Sequence, residues 1–151
     1  MKSGIIENAL RKVILDDRLS IIAIYFDAHE IRENFVREVN ALTGTGEGSS
    51  IEGVLGCTFP RQLDEYEVSH HGFNGINFNL FEDSITVDIP TFRKYLSMAC
   101  DVYLEEHPED RQQIEEYLAR PQPPLEEGAL PEWRRRRDAG EYPKPISEAE
   151  L

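Results

Sequence analysis

Cysteine is scarce. Cys57 and Cys100 are the only two in 151 residues. Without a Cys-x-x-Cys pair they make no disulfide framework, which favours a reducing compartment. Long apolar runs are missing as well. No stretch approaches the roughly 18 residues that a membrane-spanning helix needs. Met1–Leu15 is interrupted by Glu7, Arg11 and Lys12, so it lacks the unbroken apolar segment of a secretory leader. The expected setting is the cytoplasm, away from a membrane. Positive charge is short: 16 Lys and Arg face 29 Asp and Glu, for a net charge of −13. A chain so acidic is repelled by duplex DNA and by anionic membranes, both polyanions. Catalytic signatures are absent too. The chain holds no nucleophile elbow, no phosphate-loop sequence and no His-Glu-x-x-His. Carboxylates are plentiful, but no motif singles out a pair for chemistry.

What remains is enough for a folded protein. Hydrophobic residues make up 40% of the chain, more than a disordered segment carries. A chain of this length buries about 70% of its unfolded surface without staples. The charge is unevenly placed. Residues 1–40 are nearly neutral at −1, residues 41–100 carry −5, residues 101–120 carry another −5, and residues 121–151 carry −2. The acidity belongs to the body of the chain and not to a tail.

Periodicity outlines the elements. Ile6, Ala9, Leu10 and Val13 recur at helical spacing, so 4–15 reads as a short amphipathic helix. Residues 19–26 are almost continuously apolar, which fits a buried strand or a buried helix equally. Asp27 followed by Glu30 has the form of a capping box, and Ile31, Phe35, Val39 and Leu42 mark one face of a helix over 28–42. Thr43–Ser50 contains three alternating glycines. The segment after it, Ile51 to Phe59, reads as a strand, whereas a phosphate loop leads into a helix N-terminus. A plain loop is therefore expected.

The polar stretch 61–72 offers a short strand at Tyr66 and Val68. Ile76, Phe78 and Leu80 alternate with polar residues, Glu82-Asp83-Ser84 forms a tight connection, and Ile85 and Val87 resume the apolar face. This predicts an antiparallel hairpin with one wet side. Asp88 caps a helix over about 89–105 that has Pro90 in its first turn. His107-Pro108-Glu109-Asp110 stops that helix and starts another, buried through Ile114, Tyr117 and Leu118. Six of the nine prolines lie beyond residue 120. That composition predicts an extended or disordered tail over 121–151, pinned at Trp133.

The residues that could carry chemistry have plainer readings. Adjacent His70 and His71 point to opposite sides of an extended chain, a poor chelating arrangement. A metal-dependent hydrolase built on them would need nearby carboxylates as further ligands. His29 falls at a helix start, and His107 at a helix junction where it can bond a free carbonyl. Cys57 and Cys100 sit among apolar neighbours, where free cysteine packs as a small hydrophobe. Arg134–Arg137 are four arginines in a row. Glu132 and Asp138 flank them, so they are expected to be solvated or docked on the acidic body and not on nucleic acid.

One stretch has a recognisable order. Gly75-Ile76-x-Phe78-x-x-Phe81 is followed by an acidic turn and Ile85-x-Val87. Then come Phe92-x-Lys94-Tyr95-Leu96, Ala99-Cys100 and Tyr103, and after them His107-Pro108-Glu109-Asp110 with Ile114-Glu115. Together with Cys57-Thr58-Phe59-Pro60, this resembles the ribonuclease-toxin immunity proteins of bacterial contact-dependent growth inhibition systems. The likeness is strongest over 73–120. It implies an α+β protein, a small antiparallel β-sheet with helices packed on it, that binds a basic nuclease toxin domain. It implies no enzyme activity, no catalytic residues, no cofactor and no metal. On this reading residues 1–120 are the immunity-type domain and 121–151 the proline-rich tail. Aromatic anchors inside a charged rim are typical of interface hot spots. The candidate toxin-binding residues are therefore Asp64, Glu65, Tyr66 and Glu67 in one patch, and Phe81, Glu82 and Asp83 at the hairpin tip. The competing classes are the hydrolase using His70 or His71, and an adaptor acting through its tail.

Overall fold

The apolar run over 19–26 is a helix. In the computed structural model, which describes residues 4–151, α2 (Ser20–Ile31) runs through the core with Ile21, Ile22, Ala23, Tyr25 and Phe26 buried. A helix apolar on nearly every side must be surrounded, and α1 (Ile5–Arg11), the sheet and α5 (Ile89–Glu106) all pack on it. Residues 1–3 of the Met1–Leu15 stretch lie outside the described residues. Helix α1 is shorter than the predicted 4–15. Ile6 and Leu10 are buried, while Val13 lies past its end and is 40% exposed.

Asp27 corrects two expectations. It lies inside α2 and does not cap a helix that follows it. Its carboxylate accepts the backbone N–H groups of Gly4 (2.9 Å), Ile6 (3.1 Å) and Glu7 (3.2 Å). These belong to the first turn of α1, whose N–H groups have no intrahelical partners and which carries the positive end of the helix dipole. The single helix predicted over 28–42 is two. Helix α2 stops at Ile31, a turn follows in which Glu33 takes φ 60, and α3 (Phe35–Gly44) begins beyond it. The break turns Phe35, Val39 and Leu42 inward and leaves Ile31 half exposed. Phe35 stacks on Tyr103 with ring centroids 4.4 Å apart.

The sheet is an antiparallel meander in the order β1-β2-β3-β4. The strand predicted over Ile51 to Phe59 is a hairpin: β1 (Ser50–Ile51), a turn at Glu52 and Gly53, then β2 (Leu55–Thr58). Glu52 and Gly53 take φ 52 and φ 73, the positive region that reverses a chain tightly. β3 (Ile76–Leu80) and β4 (Asp83–Val87) form the predicted hairpin, with Phe81 and Glu82 as its turn; Asp83 and Ser84 already belong to β4. Cys57, Phe78 and Ile85 lie abreast across three strands and are all buried, so the sheet's apolar face is the core face. The glycine loop serves packing. A side chain on Gly48 would meet the Cys57 carbonyl at 2.2 Å.

Asp88 caps α5 as expected, accepting the Thr91 N–H at 2.9 Å. Phe92, Tyr95, Leu96, Ala99, Cys100 and Tyr103 are its buried side. The helix predicted from Pro108 is a 3-10 turn (Pro108–Asp110) and then α6 (Arg111–Leu118). The stretch 61–72 forms α4 (Glu65–His70), not a strand.

The proline-rich segment departs from the extended or disordered state that its composition predicts. It contains α7 (Pro131–Asp138). Trp133 is fully buried against Leu63 and Val68, and its indole N–H donates to the Phe73 carbonyl at 2.8 Å. Further on, Ile146 pairs beside Val87 at the edge of β4. The buried Glu148 carboxylate accepts from the Tyr95 hydroxyl and the Lys94 ammonium.

Candidate partner-binding surface

The first candidate patch is part scaffold. Asp64 and Glu67 form a reciprocal capping box: the Glu67 N–H donates to Asp64 Oδ1 at 2.8 Å, and the Asp64 N–H to Glu67 Oε1 at 2.9 Å. Those two carboxylates hold the start of α4, while Glu65 and Tyr66 are exposed beside them. Tyr66 is 61% exposed and its ring stacks on His70 at 4.1 Å. The His70 Nδ1–H donates to the Tyr66 carbonyl at 2.9 Å. The His70 and His71 rings stand 6.4 Å apart. Neither joins a group of three possible ligands among the described residues, where one such group exists, His107 with Glu109 and Asp110. Asp110 in that group already accepts the Tyr103 hydroxyl at 2.6 Å. His107 stacks on Tyr103 at 4.4 Å, and its Nδ1 stands 3.5 Å from a Glu109 carboxylate oxygen and not on the free carbonyl foreseen for it.

The second patch is the β3–β4 turn. Phe81 takes φ 55 and is 72% exposed, and its N–H donates to the Val54 carbonyl at 2.6 Å. An aromatic residue in the left-handed region is strained by about 1–2 kcal/mol. Neighbouring turns hold the strain, which keeps a large ring in solvent beside Glu82 and Asp83. The first patch lies on α4 and the second at the turn that ends β3. The outer face of the hairpin is polar: Asn77 Nδ2–H donates to Thr86 Oγ1 at 3.1 Å and lies 3.3 Å from Ser84 Oγ. A hollow of about 300 Å³ there reaches from His71 past Asn77 to Ser84.

The four arginines of α7 are engaged within the protein, Arg134 through the Glu126 carbonyl at 3.5 Å. Arg135 and Arg136 pair with Glu132 and Glu141, and Arg137 pairs with Glu126 and Asp138 and lies over the Trp133 ring at 4.9 Å. The tail's basic run therefore docks on acids of its own segment, not on the acidic body.

A buried polar cluster is the feature that sequence reasoning missed. His29 lies in the last turn of α2, not at a helix start, and is 1% exposed. Its Nδ1–H donates to Asn34 Oδ1 at 2.9 Å, and its Nε2 stands 3.3 Å from Ser49 Oγ. The Ser49 hydroxyl donates to Glu38 Oε1 at 2.9 Å, and the Tyr25 hydroxyl donates to the other Glu38 oxygen. The serine–histidine contact looks like a nucleophile and its base. The hydrogen bonds around it are otherwise committed. The Ser49 hydrogen goes to Glu38, the Ser49 N–H to the Tyr25 oxygen at 3.2 Å and the Gly48 N–H to Gln62 at 3.0 Å. Among the described residues, the two N–H groups beside the Ser49 hydroxyl, those of Gly48 and Ser49, are thus both engaged and do not serve an oxyanion. The cluster ties the glycine loop to α2 and α3. Burial, with Cys57 and Glu38 alongside, pushes the Tyr25 phenol well above its ordinary pKa. Its members lie up to 24 positions apart, so no local pattern announces it.

Fold and surface define a small α+β protein whose polar interior is scaffold and whose exposed acids and aromatics rim one antiparallel sheet. The family model of CDI immunity proteins, the immunity proteins of contact-dependent growth inhibition, matches residues 18–118, and the chain belongs to that family. Its function is immunity against a CDI toxin, and its partner is the cognate toxin. No curated protein matches the chain. Among the described residues no helix is long and apolar enough to cross a membrane.

Proposed function

We propose that the protein neutralises a ribonuclease toxin domain in the cytoplasm by binding it, with no catalysis and no cofactor of its own. The observation that carries this reading is the acid excess, −5 over residues 41–100 and −6 over residues 101–118, inside the segment that the immunity family matches. A ribonuclease cleft attracts phosphates and is basic. An acidic body meets it as RNA does, and complementary charge raises association rates to about 10⁸–10⁹ M⁻¹s⁻¹ at low salt. Glu65 and Tyr66 on α4, and Phe81, Glu82 and Asp83 at the hairpin tip, are the proposed contacts. Asp64 and Glu67 belong to the same patch but also hold α4, so substituting them would confound binding with folding.

The test mixes the purified protein with the toxic C-terminal domain encoded immediately upstream of it and follows RNA cleavage. Equimolar protein is expected to abolish cleavage, Glu65→Lys to slow association, and Phe81→Ala to speed dissociation. Undiminished cleavage at equimolar mixture overturns the proposal. Unchanged rates in both variants remove these patches from the interface.

A further inference from the structure

Strand β4 is the outer strand of the sheet, and only one of its ends is covered. The Ile146 N–H donates to the Thr86 carbonyl at 2.8 Å, and the Asp88 N–H donates to the Ile146 carbonyl at 3.0 Å. In a strand the N–H and C=O of one residue point to the same side, and successive residues alternate. Ser84 and Thr86 therefore direct their backbone groups away from β3. Ile146 accounts for the Thr86 carbonyl. Pro145 before it has no N–H to continue the pairing.

Beside this open stretch the surface is concave. One side is the 300 Å³ hollow, walled by Ser84 and Thr86 against Pro143, Lys144 and Ile146. On the other side a hollow of about 400 Å³ lies between Asp17, Arg18 and Ile21 and the strand residues Asp83, Ser84 and Ile85. The two hollows meet at Arg18, Ser84 and Ile85. An edge with outward N–H and C=O groups, set in a trough, is the template for strand addition.

We propose that the toxin partner adds an extended strand to β4 beside Asp83–Thr86, an inference that rests on the immunity reading above. Strand alternation sets its chemistry. The side chain next to Ile85 enters the hollow containing Ile21 and is apolar. The cations lining the hollows, Arg18 and Lys144, are paired with Asp16 and Glu150, so side chains at the hairpin end meet Asp17 and Asp83 and are basic, as a phosphate-binding protein supplies. A second copy of this chain fits worse. Antiparallel self-pairing about Ser84 would set Asp83 of each copy opposite Ile85 and only diagonal to the other Asp83, leaving the carboxylates without a cationic partner on the ladder. The Ile146 segment of each copy would also block the other beyond Thr86.

Ser84→Pro tests the proposal in the full chain. Proline is tolerated on an edge strand where the N–H faces outward, and it removes the donor at the centre of the added ladder. The variant is expected to keep its circular dichroism and melting temperature while its Kd for the purified upstream toxin domain rises about tenfold or more. Ser84→Ala, which keeps the backbone donor, is expected to bind like the unmodified chain. Binding of Ser84→Pro within twofold of the unmodified chain overturns the proposal. If Ser84→Pro fails to fold, amide exchange on the unmodified chain decides. Slowed exchange at Ser84 and Thr86 in the toxin complex supports strand addition, and unchanged exchange overturns it. A toxin that does not bind the unmodified chain refutes the immunity reading itself, a distinguishable outcome.

Discussion

Asp27→Ala should be among the most damaging single substitutions of a polar residue in this protein. The Asp27 carboxylate serves three backbone donors at once, the N–H groups of Gly4, Ile6 and Glu7. Loss of an ordinary N-cap side chain costs about 0.5–2 kcal/mol. Here the Ile6 donor is buried, and a buried donor left without a partner costs about 1–3 kcal/mol. The joint loss is expected to be about 2–4 kcal/mol, because the two penalties overlap in the same first turn. For a chain of this size that lowers the melting temperature by about 4–16 °C. Asp27→Asn keeps an acceptor at the Oδ1 position, which serves Ile6 and Glu7, and should lose about half as much. Urea unfolding followed by circular dichroism measures both. Amide exchange at Ile6 and Glu7 should quicken in the alanine variant, since α1 loses its cap. A loss below about 0.5 kcal/mol for Asp27→Ala would refute this account of how α1 is held to α2.

Three further predictions follow from buried groups. Trp133→Ala is expected to destabilise the protein by about 3–5 kcal/mol. Trp133 is the chain's single tryptophan, so native fluorescence of the unmodified protein already at the wavelength of exposed indole would contradict its burial. The two thiols should be inert to aqueous disulfide reagents until the protein unfolds. Burial, with Asp101 beside it and Arg93 opposing, pushes the Cys100 thiol from its ordinary 9.0 up to about 12. Burial next to Glu38 pushes Cys57 up as well. A pKa raised in the folded state means that the folded protein holds its protons longer than the unfolded chain does. That stability is fully present below pH 9 and is lost as pH climbs towards about 12. Unfolding free energy should therefore fall above pH 9, and Cys100→Ser should flatten the fall. An equal slope in the variant would remove Cys100 as its source.

Much of the second half was legible in the chain. The β3–β4 hairpin follows from strict alternation at Ile76, Phe78 and Leu80, a pattern that only a half-buried strand satisfies. Helix α5 follows from Asp88, Pro90 and a stripe of apolar residues that never breaks. Errors collect where a short motif has two readings. Asp27 and Glu30 match a capping box, but such a box needs the chain to start a helix there, and α2 is already under way. Asp64 and Glu67 have the spacing of a capping box and form one, a structural role that stands beside their place in the proposed interface. Phe81 and Tyr66 were found as exposed aromatics because each stands at a turn or helix start among acids.

The resemblance added the α+β class, while composition and periodicity by themselves determined the acid excess of the body, the main hairpin and the long helix after it. These are local properties, set by which residues alternate and which recur every turn. The tertiary structure alone decided that 19–26 is a helix, that Asp27 caps a helix more than 20 residues before it, and that the proline-rich segment folds back. Each of these depends on a partner distant in the chain. A buried carboxylate takes whatever donors packing brings to it, and a tryptophan among prolines is ordered only because Leu63, Val68 and the Phe73 carbonyl stand ready for it. The open edge of β4 belongs to the same class. Its strand can be read from alternation, but which side of it stays unpaired is settled only by where Ile146 comes to rest.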